Sequence, residues 1–285
     1  MLRNGKVIGY IKNSSSTPII IENQNGKYFV KLKSGFSGKH GVISEWIVSN
    51  LAFECGINID KPELIFIDNE VIIEQILDEV IVLIEKSYGI NIAYKFHNST
   101  KNITKESINQ LSCFQKNQLF MFDLIVLNID RNLTNLNLFK VKNEIYSCDF
   151  EACFLINNLI ESKEFFDNKK VLEELRRNPF YKSELNSLKL LELLKKISKI
   201  NMKEIIDEMP LEWFENENNL SNNFREYDSI NLIKHNIIEW FFEINTKIEL
   251  YKKLFSEISE IVLETEEEMK QRMYKNRIEF QNKFN

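Results

Sequence analysis

Short β-prone runs open the chain. Val7-Ile8-Gly9-Tyr10-Ile11, Pro18-Ile19-Ile20-Ile21 and Tyr28-Phe29-Val30-Lys31-Leu32 are separated by Lys12–Thr17 and by Asn23-Gln24-Asn25-Gly26. Branched and aromatic residues suit a pleated surface, and Asn and Gly suit the reversal between runs, so an antiparallel meander is expected. The period then changes. Ile43, Trp46, Ile47 and Leu51 recur at helical spacing within Val42–Cys55, and Gly56 stands where a helix-ending glycine belongs. That predicts one helix crossing the small sheet. β-Prone runs return at Glu63–Ile67, Val71–Ile76 and Val80–Ile84, completing a mixed lobe that ends near Gly89.

Helical periods dominate the rest of the chain. Lys105–Leu127 reads as a helix that runs into a buried apolar segment, and Leu185, Leu188, Leu191, Leu194 and Ile197, three apart, predict another. Ile230, Ile233, Ile237, Trp240, Ile244, Ile248, Tyr251, Phe255, Ile258 and Val262 step by three and four. Their long aromatic members suit a globular interior better than a coiled coil, so a core-facing helix or helix pair is expected. All eight glycines lie within residues 1–89, whereas 90–285 holds none and only Pro179 and Pro210. Two units are therefore expected, a β-rich lobe over 1–89 and a helical one over 90–285.

Composition narrows the function classes. With 285 residues, 44% hydrophobic and 28% charged, the chain can bury a large core. The net charge of −5 argues against a phosphate-backbone ligand, so no nucleic-acid partner is expected. Met1–Lys6 has no apolar leader segment, and no run approaches the ~18 apolar residues of a membrane span, which predicts a cytoplasmic protein without membrane contact. Cys55, Cys113, Cys148 and Cys153 form no C-x-x-C pair, and only His40, His97 and His235 are present. Disulfide, zinc and histidine-based nucleophilic chemistry are all disfavoured.

The richest stretch is Phe122-Asp123-Leu124-Ile125-Val126-Leu127-Asn128-Ile129-Asp130-Arg131-Asn132-Leu133-Thr134-Asn135-Leu136-Asn137-Leu138-Phe139. An apolar run delivers a polar cluster in which Asp130 and Asn135 stand as D-x-x-x-x-N. In kinase chemistry such an aspartate accepts or orients the incoming hydroxyl's proton, and the asparagine holds a metal ion against the phosphates. Downstream, Ile145-Tyr146-Ser147-Cys148-Asp149-Phe150-Glu151 ends a β-run in an aspartate suited to Mg²⁺, which prefers oxygen ligands. A small hairpin of Leu138–Lys140 and Glu144–Tyr146 would set the Asn135–Asp149 separation. Any one of these residues alone would fit a polar turn; their order carries the signal.

Upstream, Lys31 ends the kind of strand that presents a phosphate-binding lysine, Lys33 shares its face, and Glu45 on the following helix could pair with Lys31. Gly35, Gly38 and Gly41 could let backbone approach phosphate or could simply make a flexible strand-to-helix connection. Asn13-Ser14-Ser15-Ser16-Thr17-Pro18 offers amide and hydroxyl donors between the first two strands.

In order and context these blocks resemble the HipA-like kinases, and more distantly the phosphatidylinositol 3/4-kinase type of core, over about residues 5–155. The blocks are Val30-Lys31-Leu32, Ser34–Gly41, Ser44–Ala52, Phe122-Asp123, Asn128–Arg131, Asn135–Leu138 and Cys148–Glu151. The resemblance implies an α+β, bilobed protein-kinase-like fold: a small antiparallel-sheet N-lobe, a large mainly α-helical C-lobe, and ATP between them. It implies that Lys31 binds the phosphates, Glu45 positions Lys31, and Ser14, Ser15 and Ser16 lie over the nucleotide. Asp130 is then the catalytic aspartate, and Asn135 with Asp149 holds Mg²⁺, Asn137 being the alternative should the register shift. No His-Arg precedes Asp130, and Glu151 replaces the glycine of D-F-G.

The expected activity is ATP- and Mg²⁺-dependent transfer to a Ser or Thr hydroxyl of a protein. A lipid or small-molecule hydroxyl, and a pseudokinase-type binding module, are the alternatives. A protein substrate and an antitoxin-like or regulatory protein are the expected partners.

Overall fold

The computed structural model describes residues 1–3, 5–12, 16–36, 39–74, 76–161, 169–182, 184–214 and 223–263. The front of the chain is a seven-stranded sheet. Its strands are β1 (Leu2–Arg3), β2 (Lys6–Tyr10), β3 (Ile19–Asn23), β4 (Gly26–Lys31), β5 (Glu63–Ile67), β6 (Ile72–Ile73) and β7 (Gly89–Lys95), in the order β1-β5-β7-β4-β3-β2-β6. The β2–β3–β4 meander is antiparallel as the pattern predicts, while the short outer strands β1 and β6 pair in parallel with β5 and β2. The Asn23–Gly26 reversal is held by the Asn25 amide, which donates to Asn23 Oδ1 at 2.8 Å. Gly26 sits at φ 133°, a backbone region that favours glycine. β7 pairs with both β4 and β5, so the sheet continues past the boundary expected near Gly89.

The two faces of the sheet serve different cores. Val7, Ile19, Ile21, Tyr28 and Val30 face one cluster with Val80 and Ile84 of α2 (Asp78–Glu85), and alternation along β4 turns Phe29 and Lys31 to the other face. That second face packs on α1 (Lys39–Glu54), which is buried continuously from Gly41 to Ala52 because it lies between the sheet and the helical part. The α1 terminus is a Schellman motif: the Ile57 amide donates to Ala52 O and the Gly56 amide to Phe53 O, with Gly56 at φ 75°. A Cβ on Gly56 would meet nothing nearer than Lys196 Nζ at 3.5 Å. Gly56→Ala is therefore expected to cost only the left-handed strain, about 1 kcal/mol or roughly 2–4 °C in thermal midpoint. An unchanged melting curve would refute that account.

Two local expectations change. Val80–Ile84 is not a strand but belongs to α2: Val80 and Ile84, four apart, are buried while Val82 is exposed, a helical face that so short an apolar run cannot reveal by itself. Lys105–Leu127 is not one helix either. A 3-10 segment, Lys105–Gln110, stops at Leu111, and Ser112 caps a new helix α3 (Cys113–Val126) by accepting from the Gln115 amide. A second sheet, β10-β9-β8, is built from β8 (Thr100–Asn102), β9 (Leu138–Val141) and β10 (Glu144–Ser147), the last two forming the expected hairpin.

The remainder is helical. α4 (Phe154–Glu161), α5 (Lys169–Arg176), α6 (Ser187–Ile197), α7 (Met202–Asp207), α8 (Asn223–Phe242) and α9 (Ile248–Glu260) share one core with α1 and α3. The long C-terminal stripe is a helix pair, α8 and α9, joined by a 3-10 turn at Ile244–Thr246. Among the described residues no helix is long and apolar enough to cross a membrane.

Candidate active site

Lys31 closes β4 beneath α1, with its side chain 6% exposed. Its ammonium lies 3.0 Å from Glu45 Oε2 and 2.7 Å from Asp149 Oδ1, so the strand, the helix and the Asp149 segment meet at one cation. Burial works against that charge, but the carboxylates of Asp149 and Glu45 outweigh it and leave the Lys31 pKa raised. Glu45 is saturated as well: Oε2 also accepts from the Phe150 amide at 2.7 Å, and Oε1 accepts from the Tyr94 hydroxyl at 2.5 Å. Burial and then Glu45 itself push the Tyr94 pKa up, so this phenol remains a donor. Ser44 Oγ donates to Phe150 O at 2.8 Å, giving α1 a second hold on the residue after Asp149.

The polar loop follows α3, whose cap Leu127 is left-handed at φ 53°. A bulky residue there is strained and must be held by its surroundings. The holding groups are visible. The Phe154 amide donates to Leu127 O at 3.0 Å, and Asn128 bridges to Cys153. Beneath the loop, Asp123 accepts from Asn128 Nδ2 at 2.9 Å, Arg131 Nε at 2.7 Å and Asn178 Nδ2 at 2.8 Å. Arg131, fully buried, also donates to Leu136 O at 2.5 Å, Asn137 O at 3.2 Å and Ser147 Oγ at 2.9 Å. One guanidinium thus joins both ends of the loop to β10.

Above this base Asp130 Oδ2 accepts from Asn135 Nδ2 at 2.7 Å and from Asn137 Nδ2 at 2.9 Å. Asn132 shapes the turn: its Oδ1 accepts from the Thr134 and Asn135 amides at 2.9 and 3.0 Å. Asp149 follows β10 at φ 64°, a conformation Asp tolerates better than most residues. Glu151 completes the cluster. Burial, then the charges of Asp149, Glu45 and Asp130, partly offset by Lys31, raise its pKa to about 7, which places these carboxylates in one electrostatic neighbourhood.

Among the described residues no group of three or more His, Cys, Asp or Glu side chains is arranged to hold a metal ion. Oxygen donors are nonetheless open. Asp149 gives Oδ1 to Lys31 and Asn135 gives Nδ2 to Asp130, so Asp149 Oδ2 and Asn135 Oδ1 are not used in those bonds. Glu151 Oε2 is buried without a hydrogen-bond partner. A hard divalent cation fits such a carboxylate-rich oxygen set.

The structure brings Lys31, Glu45 and Asp149 into direct contact, and Asp130 with Asn135 and Asn137. Ser14, Ser15 and Gly38 lie outside the described residues. Ser16 is buried, and its carbonyl packs so closely on Gly35 that a Cβ there would collide with it. Lys33 does not join Lys31; it leaves the strand in a 3-10 turn and pairs with Glu212 at 3.0 Å. Sequence reasoning assigned no role to Tyr94, Asp123, Asn128, Arg131 or Asn178. The Asp123, Asn128 and Arg131 types at steps of five and three, beside a D-x-x-x-x-N, are a signal that could have been used; Tyr94 and Asn178 offered none.

A profile of the HipA-like kinase family matches residues 5–243. Among solved structures, the Helicobacter pylori proinflammatory kinase CtkA aligns with a TM-score of 0.51 and 15% identity over 92% of this chain and 100% of that one, which shows a kinase-like fold. A MAP kinase from Leishmania major aligns over 98% of this chain and 94% of its own at 11% identity, but its TM-score of 0.25 carries no argument. No curated protein matches. The family profile covers well over half of the chain and spans both the Lys31–Glu45–Asp149 contact and the Asp130 loop, and the chain belongs to the HipA-like kinase family.

Proposed function

We propose that the chain transfers the γ-phosphoryl group of ATP to a Ser or Thr hydroxyl of a protein, with Mg²⁺ as cofactor. The observation that carries this reading is the pairing of Lys31 with both Glu45 and Asp149, facing a loop in which two asparagine amides fix Asp130. In this reading Lys31 draws the phosphates toward the sheet, and Glu45 keeps its ammonium in place. Asp130, held by Asn135 and Asn137, orients the acceptor hydroxyl and takes its proton. Asn135 and Asp149 would hold Mg²⁺, which when bound neutralises charge developing on the transferred group. A pure scaffold would need none of Lys31, Asp130, Asn135 and Asp149 held together in this way, which favours an active enzyme over a binding module.

The test is incubation of the purified chain with γ-labelled ATP and Mg²⁺, alone and with a mixture of candidate proteins, followed by acid hydrolysis. Label on phosphoserine or phosphothreonine, lost when a chelator removes Mg²⁺, is expected. Label only on lipid or small molecules would overturn the protein-acceptor reading, and ATP neither bound nor turned over would overturn the kinase reading altogether.

A further inference from the structure

Between α7 and α8 a short 3-10 turn, Leu211–Trp213, leaves the helical part and reaches the sheet. At Ile90 of β7 both backbone polar groups are taken by this turn: the Ile90 amide donates to Glu212 Oε1 at 2.6 Å, and Trp213 Nε1 donates to Ile90 O at 2.8 Å. Glu212 Oε1 also receives Lys33 Nζ at 3.0 Å, so the turn grips the exit of β4 too. The fit leaves no spare room. Gly89 sits at φ 111°, and a Cβ there would lie 2.5 Å from Glu212 Oε1 and 2.7 Å from Lys33 Nζ.

The same stretch grips α1. Trp46, next to Glu45, donates its indole N–H to Ile205 O in α7 at 2.9 Å, satisfying a carbonyl near a helix end, and packs edge-to-face on Trp213 with ring centroids 6.1 Å apart. One residue along the helix lies the carboxylate that holds Lys31. In kinases the position of this helix decides whether the Lys–Glu pair forms, and it is commonly under separate control.

We infer that residues 202–214 are a brace, and that Glu212 and Trp213 are positioning residues which hold α1 where Glu45 reaches Lys31. The chain's own helical part thereby sets α1. The effect on catalysis rests on the kinase reading above; the effect on α1 does not. In hydrogen-exchange mass spectrometry of the full chain, Glu212→Gln and Trp213→Phe are expected to speed exchange of the Ile43–Val48 amides about ten-fold while α3 and the β9–β10 hairpin keep their rates. Trp213→Phe keeps an aromatic ring and so guards against simple unfolding. Unchanged α1 exchange in both variants, or equal acceleration in α3 and the hairpin, overturns the brace. In phosphoryl transfer each variant is expected to lower kcat about ten-fold in the wild-type background and not at all when Glu45→Gln is already present, because the brace acts through Glu45. A further, additive fall in that background also overturns it. Absence of any transfer by the wild-type chain would sink the kinase reading and leave the exchange rates to decide the brace.

Discussion

Asp130→Ala is expected to reduce kcat for phosphoryl transfer on the order of 10³-fold, the range typical of a lost proton acceptor, while nucleotide still binds. The split follows from the geometry. Asp130 touches Asn135 and Asn137 but not Lys31, whose partners are Glu45 and Asp149, so the Lys31 ammonium and its pairing are undisturbed by the change. The two released amides lie at a partly exposed loop where water can replace the lost acceptor, so the thermal midpoint should fall by no more than roughly 4 °C. Steady-state kinetics with nucleotide titration would check this. Transfer at an undiminished rate would remove Asp130 from the mechanism, and a collapse of ATP affinity equal to the loss of kcat would make it a binding group.

Asp123→Ala should do the opposite kind of damage. It removes the acceptor of Asn128, Arg131 and Asn178 at once, and strands a fully buried guanidinium. Breaking a buried pair in this way costs about 3–5 kcal/mol, or roughly 6–20 °C in thermal midpoint for a chain of this size. Activity should fall with stability, since the Leu136 and Asn137 carbonyls that Arg131 holds flank the loop carrying Asp130 and Asn135. The double variant Asp123→Leu, Arg131→Met separates two accounts. An apolar replacement often restores what a buried ion pair supplied, but here it leaves Leu136 O, Asn137 O and Ser147 Oγ without their donor, so recovery should be partial at most. Full recovery on thermal denaturation would show that charge burial alone was at stake. A loss under about 1 kcal/mol in Asp123→Ala would show that the network is dispensable.

Much of the front of the molecule was legible because its signals are local. The β2–β4 meander announces itself by runs of β-branched residues and an Asn-Gly reversal, and α1 by its spacing and terminal glycine. Val80–Ile84 reads as a strand because five apolar residues fit either period; the decisive fact is that Val80 and Ile84, with Leu83 beside them, reach the core while Val82 is exposed. Strand alternation puts Lys33 on the face of Lys31, but it ceases to apply once the chain turns into a 3-10 segment at Lys33. Of the candidate site, the residue types and their order could be read, since D-x-x-x-x-N and the later aspartate are separations along the chain. Arg131 stood in the middle of that stretch as an ordinary polar loop residue; only its burial and its four acceptors reveal what it does.

By itself the sequence determined a glycine-bearing sheet followed by glycine-free helices, the family that its ordered blocks resemble, and the short list of groups proposed for phosphoryl transfer. Periodicity and spacing encode those because they depend on neighbours along the chain. Tertiary structure alone decided that Lys31 meets Asp149 across 118 residues, that Tyr94 completes the shell of Glu45, and that Glu212 and Trp213 reach back 122 and 123 residues to Ile90. Such contacts arise when two distant surfaces are buried together and each buried polar group must find a partner, a condition that no local pattern records.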